Sequence, residues 1–358
     1  MIYIGAETII SPLGPSIHEN FAALKENRSG ITQVAEKGFN GEAVYLSKIL
    51  SGVYAFETLI SIAVKSLLSQ VDPTIINLKS TILIISSTKG ELDESIKDPF
   101  GPPVRSLIRE FGLAHQPIVI SNACISGVLA INLARNLVEA GHYEHAIVAG
   151  CDVISDFVVY GFQSLFAVSD LPCRPFDASR KGITMGEGCG AVMVSATKTV
   201  FNTRPMALLP GTSANDANHI SGPSRTGEGL FRTIKKTLQA SELGVNEIDF
   251  ISAHGTATVF NDEMESIAFD RMGLAATPVH SLKGYFGHTL GAAGVIETAA
   301  SIRMMREQTL IKSLGYEQPG TSVELNVIKE NTGAKLNTLL KTASGFGGGN
   351  ASLLIRKL

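Results

Sequence analysis

Two stretches of this sequence read as one unit written twice. Ser121-Asn122-Ala123-Cys124 runs into ISGVLAINLA, a helix start rich in small residues. Phe286-Gly287-His288 runs into the similar TLGAAGVIETAA, with His288 lying 164 residues after Cys124. About 160 residues also separate GEGCGAVMVSA from GGGNASLLIRK, each a glycine-rich turn entering an apolar strand. This spacing implies an internal duplication of one α/β unit, joined near residues 198–206. The expected division is 1–200, carrying a candidate nucleophile, and 201–358, carrying two candidate histidines. A site where the halves meet is the natural consequence.

The elements fit that reading. Apolar runs at 81–86, 117–120, 145–149, 191–195, 248–252, 277–282, 338–343 and 351–356 predict buried strands. Amphipathic stretches at 54–70, 125–140, 228–242, 261–272 and 288–307 predict helices. Alternation of this kind specifies an α/β fold with helices covering the sheets. At 358 residues, 18% charged and 44% hydrophobic, the chain is long and apolar enough to exclude disorder over most of its length. A net charge of −3 argues against nucleic acid as a partner. A mean hydropathy of +0.20 points to a deeply buried sheet core and an apolar subunit interface. No apolar run reaches the ~18–20 residues of a membrane span. The opening MIYIGAETIISPLG has no basic segment and is interrupted by Glu7 and Pro12, unlike a signal peptide. Cys124, Cys151, Cys173 and Cys189 form no C-x-x-C pair, and no histidine stands at zinc-ligand spacing from them. Free thiols and a cytoplasmic location are expected.

Cys124 falls at a predicted strand-to-helix junction, where the helix dipole and unpaired N–H groups favour thiolate. The plainer reading is an inert buried cysteine. His254 ends an apolar strand in IDFISAHGTAT, and His288 opens a helix in KGYFGHTLGAAG. Both could face Cys124, or each could be an ordinary core histidine. The other six histidines, His18, His115, His142, His145, His219 and His280, have no such frame. Lys283 follows a strand five residues before His288. Asp262 and Glu265 open the helix after His254, where acids suit the dipole and capping alone would explain them. SGFGGGN at 344–350 can bring backbone N–H groups close to an oxyanion or phosphate. It lacks the G-K-[ST] ending of a nucleotide loop, and GEGCG lacks a dinucleotide fingerprint.

Taken together, SNACISG, RPFDASRKGITMGEGCG, AHGTATVFNDEMES, KGYFGHTLGAAG and GFGGGNAS resemble the β-ketoacyl-acyl carrier protein synthases, in order and spacing. The opening TIISPLGPSIHENFAALKENRSGI extends the resemblance over nearly the whole chain. The resemblance implies a thiolase-like fold, a five-layered αβαβα sandwich of two similar halves. It implies that Cys124 accepts the acyl group and that His254 and His288 are the active-site histidines. Lys283 matches the lysine of the K-x-x-x-G-H motif, expected to orient His288. Asp262 and Glu265 match the supporting acids. Phe346 matches the gating aromatic of the glycine loop.

The implied activity is 3-oxoacyl-[acyl-carrier-protein] synthesis by decarboxylative condensation of malonyl-carrier with the acyl-enzyme. It needs no metal or organic cofactor. The implied partners are an acidic acyl carrier protein, met by basic residues such as Lys65, Arg105, Arg109 and Arg180, and a second subunit. That subunit is either an identical chain or a related ketosynthase-like one. The alternative is a chain-length-factor-like partner of another synthase, a type that usually lacks the nucleophile present here. Phe286, Ser344, Gly349, Ile125 and Ser126 depart from the usual family residues. The segment before Cys124 is also short for the fatty-acid enzymes. These departures fit a specialised synthase, for polyenes or other unusual acyl chains, as well as a housekeeping one.

Overall fold

The computed structural model describes residues 1–49, 55–216 and 222–358. Residue 54 of the expected first helix and His219 lie outside the described residues. The first half runs β1 (Tyr3–Ile10), α1 (Phe56–Leu68), β2 (Thr81–Ser86), α2 (Gly101–Phe111), β3 (Ile118–Ile120), α3 (Ser126–Glu139), β4 (His145–Asp152) and β5 (Gly188–Ser195). The second runs β6 (Thr212–Asn215), α4 (Glu228–Ala240), β7 (Phe250–Ser252), α5 (Val259–Arg271), β8 (Val279–His280), α6 (Ala293–Glu307), β9 (Thr338–Gly345) and β10 (Gly349–Arg356). The first sheet is ordered β1-β5-β4-β2-β3 and the second β6-β10-β9-β7-β8. In each, the first two pairings and the next are antiparallel or parallel in the same sequence: β1–β5 and β5–β4 antiparallel, then β4–β2 and β2–β3 parallel, repeated strand for strand in the second sheet. Topology and direction therefore repeat as well as sequence. A short strand, Met206–Leu208, pairs with both β1 and β10 and joins the sheets edge to edge.

The layers follow from side-chain periodicity. Successive residues of β2 point to opposite faces. Leu83 and Ile85 pack outward with Ile60, Val64 and Leu67 of α1 and Leu107 of α2. Ile82 and Ile84 pack inward against Val128 and Ile131 of α3 and Val295 and Ile296 of α6. Leu339 and Leu353 of the second sheet close the same inner cluster. Leu230 and Ile234 of α4 and Phe269 of α5 cover the outer face of that sheet through Ile251, Leu340 and Leu354. The result is the expected five-layered αβαβα sandwich, with α3 and α6 as the central layer. Buried on both faces, the central strands read as continuous apolar runs.

The central helices approach very closely. A Cβ at Gly127 would lie 2.8 Å from the backbone nitrogen of Val295, and one at Gly294 would lie 2.6 Å from that of Val128. Only glycine on both helices allows that contact. The helix expected at 288–307 begins at Ala293, after a 3-10 turn at Leu290–Ala292. Among the described residues, no helix is long and apolar enough to cross a membrane.

Candidate active site

Cys124 stands two residues before α3, and His288 stands before the turn that leads into α6. The two central helices thus deliver equivalent positions of the two halves to one point. His288 Nε2 lies 3.1 Å from Cys124 Sγ. The His254 and His288 rings meet edge to face with centroids 5.1 Å apart. All three side chains are buried and line one cavity of about 360 Å³. Backbone strain accompanies them. Ala123, Ala257 and Leu290 adopt φ of 43°, 66° and 51°, left-handed conformations that non-glycine residues hold only when the surroundings enforce them.

His288 is pinned through its main chain. Its N–H donates to the Thr184 carbonyl at 2.7 Å, and its own carbonyl accepts from Gly186 N at 3.0 Å. A Cβ at Gly186 would strike the Phe286 carbonyl oxygen, so that contact requires glycine. His254 is held by Glu265, which accepts from the N–H groups of His254 (2.8 Å) and Gly255 (2.6 Å). Asp262 accepts from Thr256 N, Ala257 N and, from the first half, Phe176 N. These acids therefore do more than cap their helix, whose cap is Thr258. They fasten the loop carrying His254.

Lys283 departs from its expected role of orienting His288. Its Nζ lies 3.4 Å from His254 Nδ1, touches the His254 carbonyl, and pairs with Glu297 at 2.8 Å. An ammonium only donates, so Nδ1 of His254 accepts and its proton sits on Nε2. Among the described residues, His288 Nδ1 has no hydrogen-bond partner. Glu297 and Lys341 complete the buried group, 2.5 Å apart. Neither was picked out from sequence, although Lys341 is the lone charge of β9 and Glu297 stands in an apolar stretch of α6.

Electrostatics reverse one expectation. Burial pushes the Cys124 thiol up to about 12, outweighing the nearby Lys283 charge and the N–H groups of Phe346 and Cys124 itself. Helix position alone does not make this sulfur a thiolate; it needs a base. Burial, reinforced by Lys283, His288 and Lys341, holds His254 well below the usual histidine range. Burial, Lys283 and Lys341 do the same to His288. Burial, followed by the Asp262 charge, raises Glu265 to about 7. The Cys124, His254 and His288 ligand atoms lie within 4.8 Å of one another. Such a set could hold a metal ion, but the cations that keep both rings neutral would equally repel one.

Phe346 stands at the cavity mouth, its ring 5.4 Å from that of Phe162. A Cβ at Gly345 would come 3.2 Å from Cys124 N, so the glycine loop lies directly against the nucleophile. Of the proposed docking residues, Lys65, Arg105 and Arg109 are exposed on α1 and α2. Arg180 is buried beside Asp262 and belongs to no docking face.

A duplicated α/β sandwich with a Cys-His-His centre between its halves defines a condensing-enzyme class of protein. Family comparison agrees. Residues 108–199 match the N-terminal domain of β-ketoacyl synthase and residues 206–317 its C-terminal domain. The chain belongs to the β-ketoacyl synthase family. It is 32% identical over 253 residues to the 3-oxoacyl-[acyl-carrier-protein] synthase 2 of Rhizobium meliloti, covering 66% of this chain and 60% of that one. A Schizosaccharomyces pombe relative, provisionally described as a mitochondrial 3-oxoacyl-[acyl-carrier-protein] synthase, is 32% identical over 278 residues, 71% of this chain. The match spans 65% of that relative's length, so both alignments cover less than two thirds of the curated protein. A β-ketoacyl synthase from Burkholderia phymatum shares the fold with a TM-score of 0.87 at 24% identity, covering 100% of this chain and 99% of that one. A ketosynthase structure solved with its chain length factor, from Xenorhabdus doucetiae, gives 0.88 at 24%, covering 100% and 98%.

Proposed function

We propose that this chain is a 3-oxoacyl-[acyl-carrier-protein] synthase, an acyltransferase acting in fatty-acid or polyene/polyketide elongation. The observation that carries the reading is the contact of His288 Nε2 with a buried thiol at 3.1 Å, with His254 beside it. In the first step Cys124 Sγ attacks the thioester carbonyl of an acyl-carrier, and the carrier's C–S bond breaks. His288 takes the thiol proton and returns it to the leaving sulfur. The N–H groups of Cys124 and Phe346 hold the oxyanion. In the second step malonyl-carrier loses CO2, and the electron pair of the broken C–C bond becomes an enolate. His254 donates to the enolate oxygen through Nε2, the nitrogen left protonated by Lys283. Among the described residues nothing bonds Nδ1 of His288, so the ring exchanges its Nδ1 proton for one on Nε2 between the steps: Nε2 accepts in the first and donates in the second. The enolate carbon then attacks the acyl-enzyme, the Sγ–C bond breaks, the departing Cys124 thiolate takes up a solvent proton, and a 3-ketoacyl-carrier two carbons longer is released.

Phe346 and Phe162 act as the gate to this cavity. Lys65, Arg105 and Arg109 are the remaining candidates to meet an acidic carrier. The partner subunit is an identical chain or a related ketosynthase-like one. We take residues 1–200 and 201–358 as the two units of the duplication, a division supported by the matching strand orders. Four free, buried cysteines support a cytoplasmic location. The test is intact-protein mass spectrometry after incubation with acyl- and malonyl-carrier protein. The wild type should gain an acyl adduct and release a product two carbons longer, whereas folded Cys124→Ala gains none. A folded wild type without adduct across a broad acyl panel would favour a partner-dependent or chain-length-factor-like subunit instead.

A further inference from the structure

Lys341 lies on β9, three residues before Ser344 of the glycine loop, and is fully buried. Its Nζ lies 2.5 Å from Glu297 Oε2, 3.3 Å from the carbonyl oxygens of Ser252 and Ala253, and 2.8 Å from that of Thr342. Ser252 and Ala253 are the residues that lead into His254. The other oxygen of Glu297 is taken by Lys283. One buried carboxylate is therefore shared by two ammonium groups behind the histidines, and the further acid near Lys341 is Glu265, which burial raises to about 7.

We propose that Lys341 is a positioning residue for the condensation: its ammonium anchors the strand end that presents His254 and brings a second positive charge to the buried group behind both histidines. The inference rests on the condensing-enzyme reading, in which His288 must be unprotonated to take the Cys124 proton. The charged and titratable neighbours set the sign. His254 faces Lys283, His288 and Lys341, with Glu265 and Asp262 bonded to its loop. His288 faces Cys124, His254, Lys283 and Lys341. Lys341 faces Glu297, Lys283 and Glu265. It also lies near His280, which is held down to about 3 by burial and Lys341. Like charges disfavour imidazolium, so removing one cation lets the histidines protonate at higher pH.

The experiment is the pH dependence of Cys124 alkylation by iodoacetamide, followed by intact mass, which needs no carrier protein. Lys341→Gln keeps a donor for Glu297 and removes the charge; Lys341→Met removes both. Both variants should lose reactivity at the acid end, by about threefold or more relative to pH 8, as histidine protonation moves upward. Carbon-13 histidine titration of the wild type is an independent arm that needs no variant. His254 and His288 should stay neutral well below the ordinary ~6.5. Superimposable alkylation profiles in folded variants would overturn the proposal, as would ordinary wild-type histidine titration. A shifted profile from an enzyme that forms no acyl adduct would retain the electrostatic role of Lys341 and overturn only the synthase reading.

Discussion

Burial keeps the reactive sulfur protonated, so reactivity depends on one imidazole. Cys124 is pushed up to about 12 and its side-chain hydrogen-bond partner is His288. His288→Ala should slow alkylation of Cys124 at neutral pH by about 10²–10⁴, the usual worth of a general base. Pseudo-first-order rates by mass spectrometry, with matched thermal melts, test this; a folded variant within threefold of wild type would exclude His288 as the base. Cys124, His254 and His288 were legible in sequence because each stands at the junction of two elements, within a motif that resembles the condensing enzymes. Their charges were not. Lys283 bonds His254 and not the nearer-in-sequence His288, because the helical turn Lys283–Phe286 points its side chain toward α6 and Glu297. Glu297 in GVIETAAS and Lys341 in LLKTAS are single charges in apolar stretches, and only tertiary contact reveals that they belong to each other.

Two helices set the distance between nucleophile and base. At the crossing of α3 and α6, a methyl group on Gly127 would meet backbone atoms of Gly294 and Val295 at 2.8–3.0 Å, and backbone cannot rotate away. Gly127→Ala should therefore separate the helices, destabilise the protein by about 1–3 kcal/mol as overpacking does, and slow Cys124 alkylation together with stability. Gly161→Ala, where a Cβ meets nothing within 4 Å, is the control and should leave both unchanged or slightly improve stability. Urea unfolding and alkylation rates on the two variants decide; a fully stable, fully reactive Gly127→Ala would refute the crossing argument. Four strands of each sheet and these central helices were predictable from periodicity, whereas the end strands β1 and β6 were not read as strands. The α2 helix was not, because Gly101-Pro102-Pro103 reads as a turn until proline is recognised at the first helical positions. The small sheet of Ile31–Val34, Val44–Ser47 and Met185–Gly186 also went unread, since strands of two to four residues carry too little alternation to register.

Across the whole molecule, duplication explains why so many ionisable groups are interior: the site lies between two packed halves rather than on either surface. That arrangement has a consequence at high pH. Burial raises Cys124 to about 12 and Cys173 to about 11, and, with Cys189 beside it, raises Cys151 well above the ordinary thiol range. Burial also raises Tyr285 and Tyr316. A folded-state pKa above the unfolded one contributes stability that is complete below the unfolded value and is lost as pH rises through the folded one. For thiols that window opens near ~8.5 and closes near the folded values. Lys341, lowered by burial, acts in the opposite direction near its usual ~10.4, one group against five. Stability should thus fall steadily from pH 9 to 11, by up to about 1.4 kcal/mol per pH unit for each thiol ionised only in the unfolded chain. Urea denaturation under reducing conditions at pH 8, 9 and 10 measures the slope. Cys173→Ala tests its origin, because Cys173 donates to the Lys283 carbonyl and so links the first half to the second. The variant should start less stable and lose less between pH 9 and 10 than the wild type; an unchanged slope would mean that the buried thiols do not control alkaline unfolding.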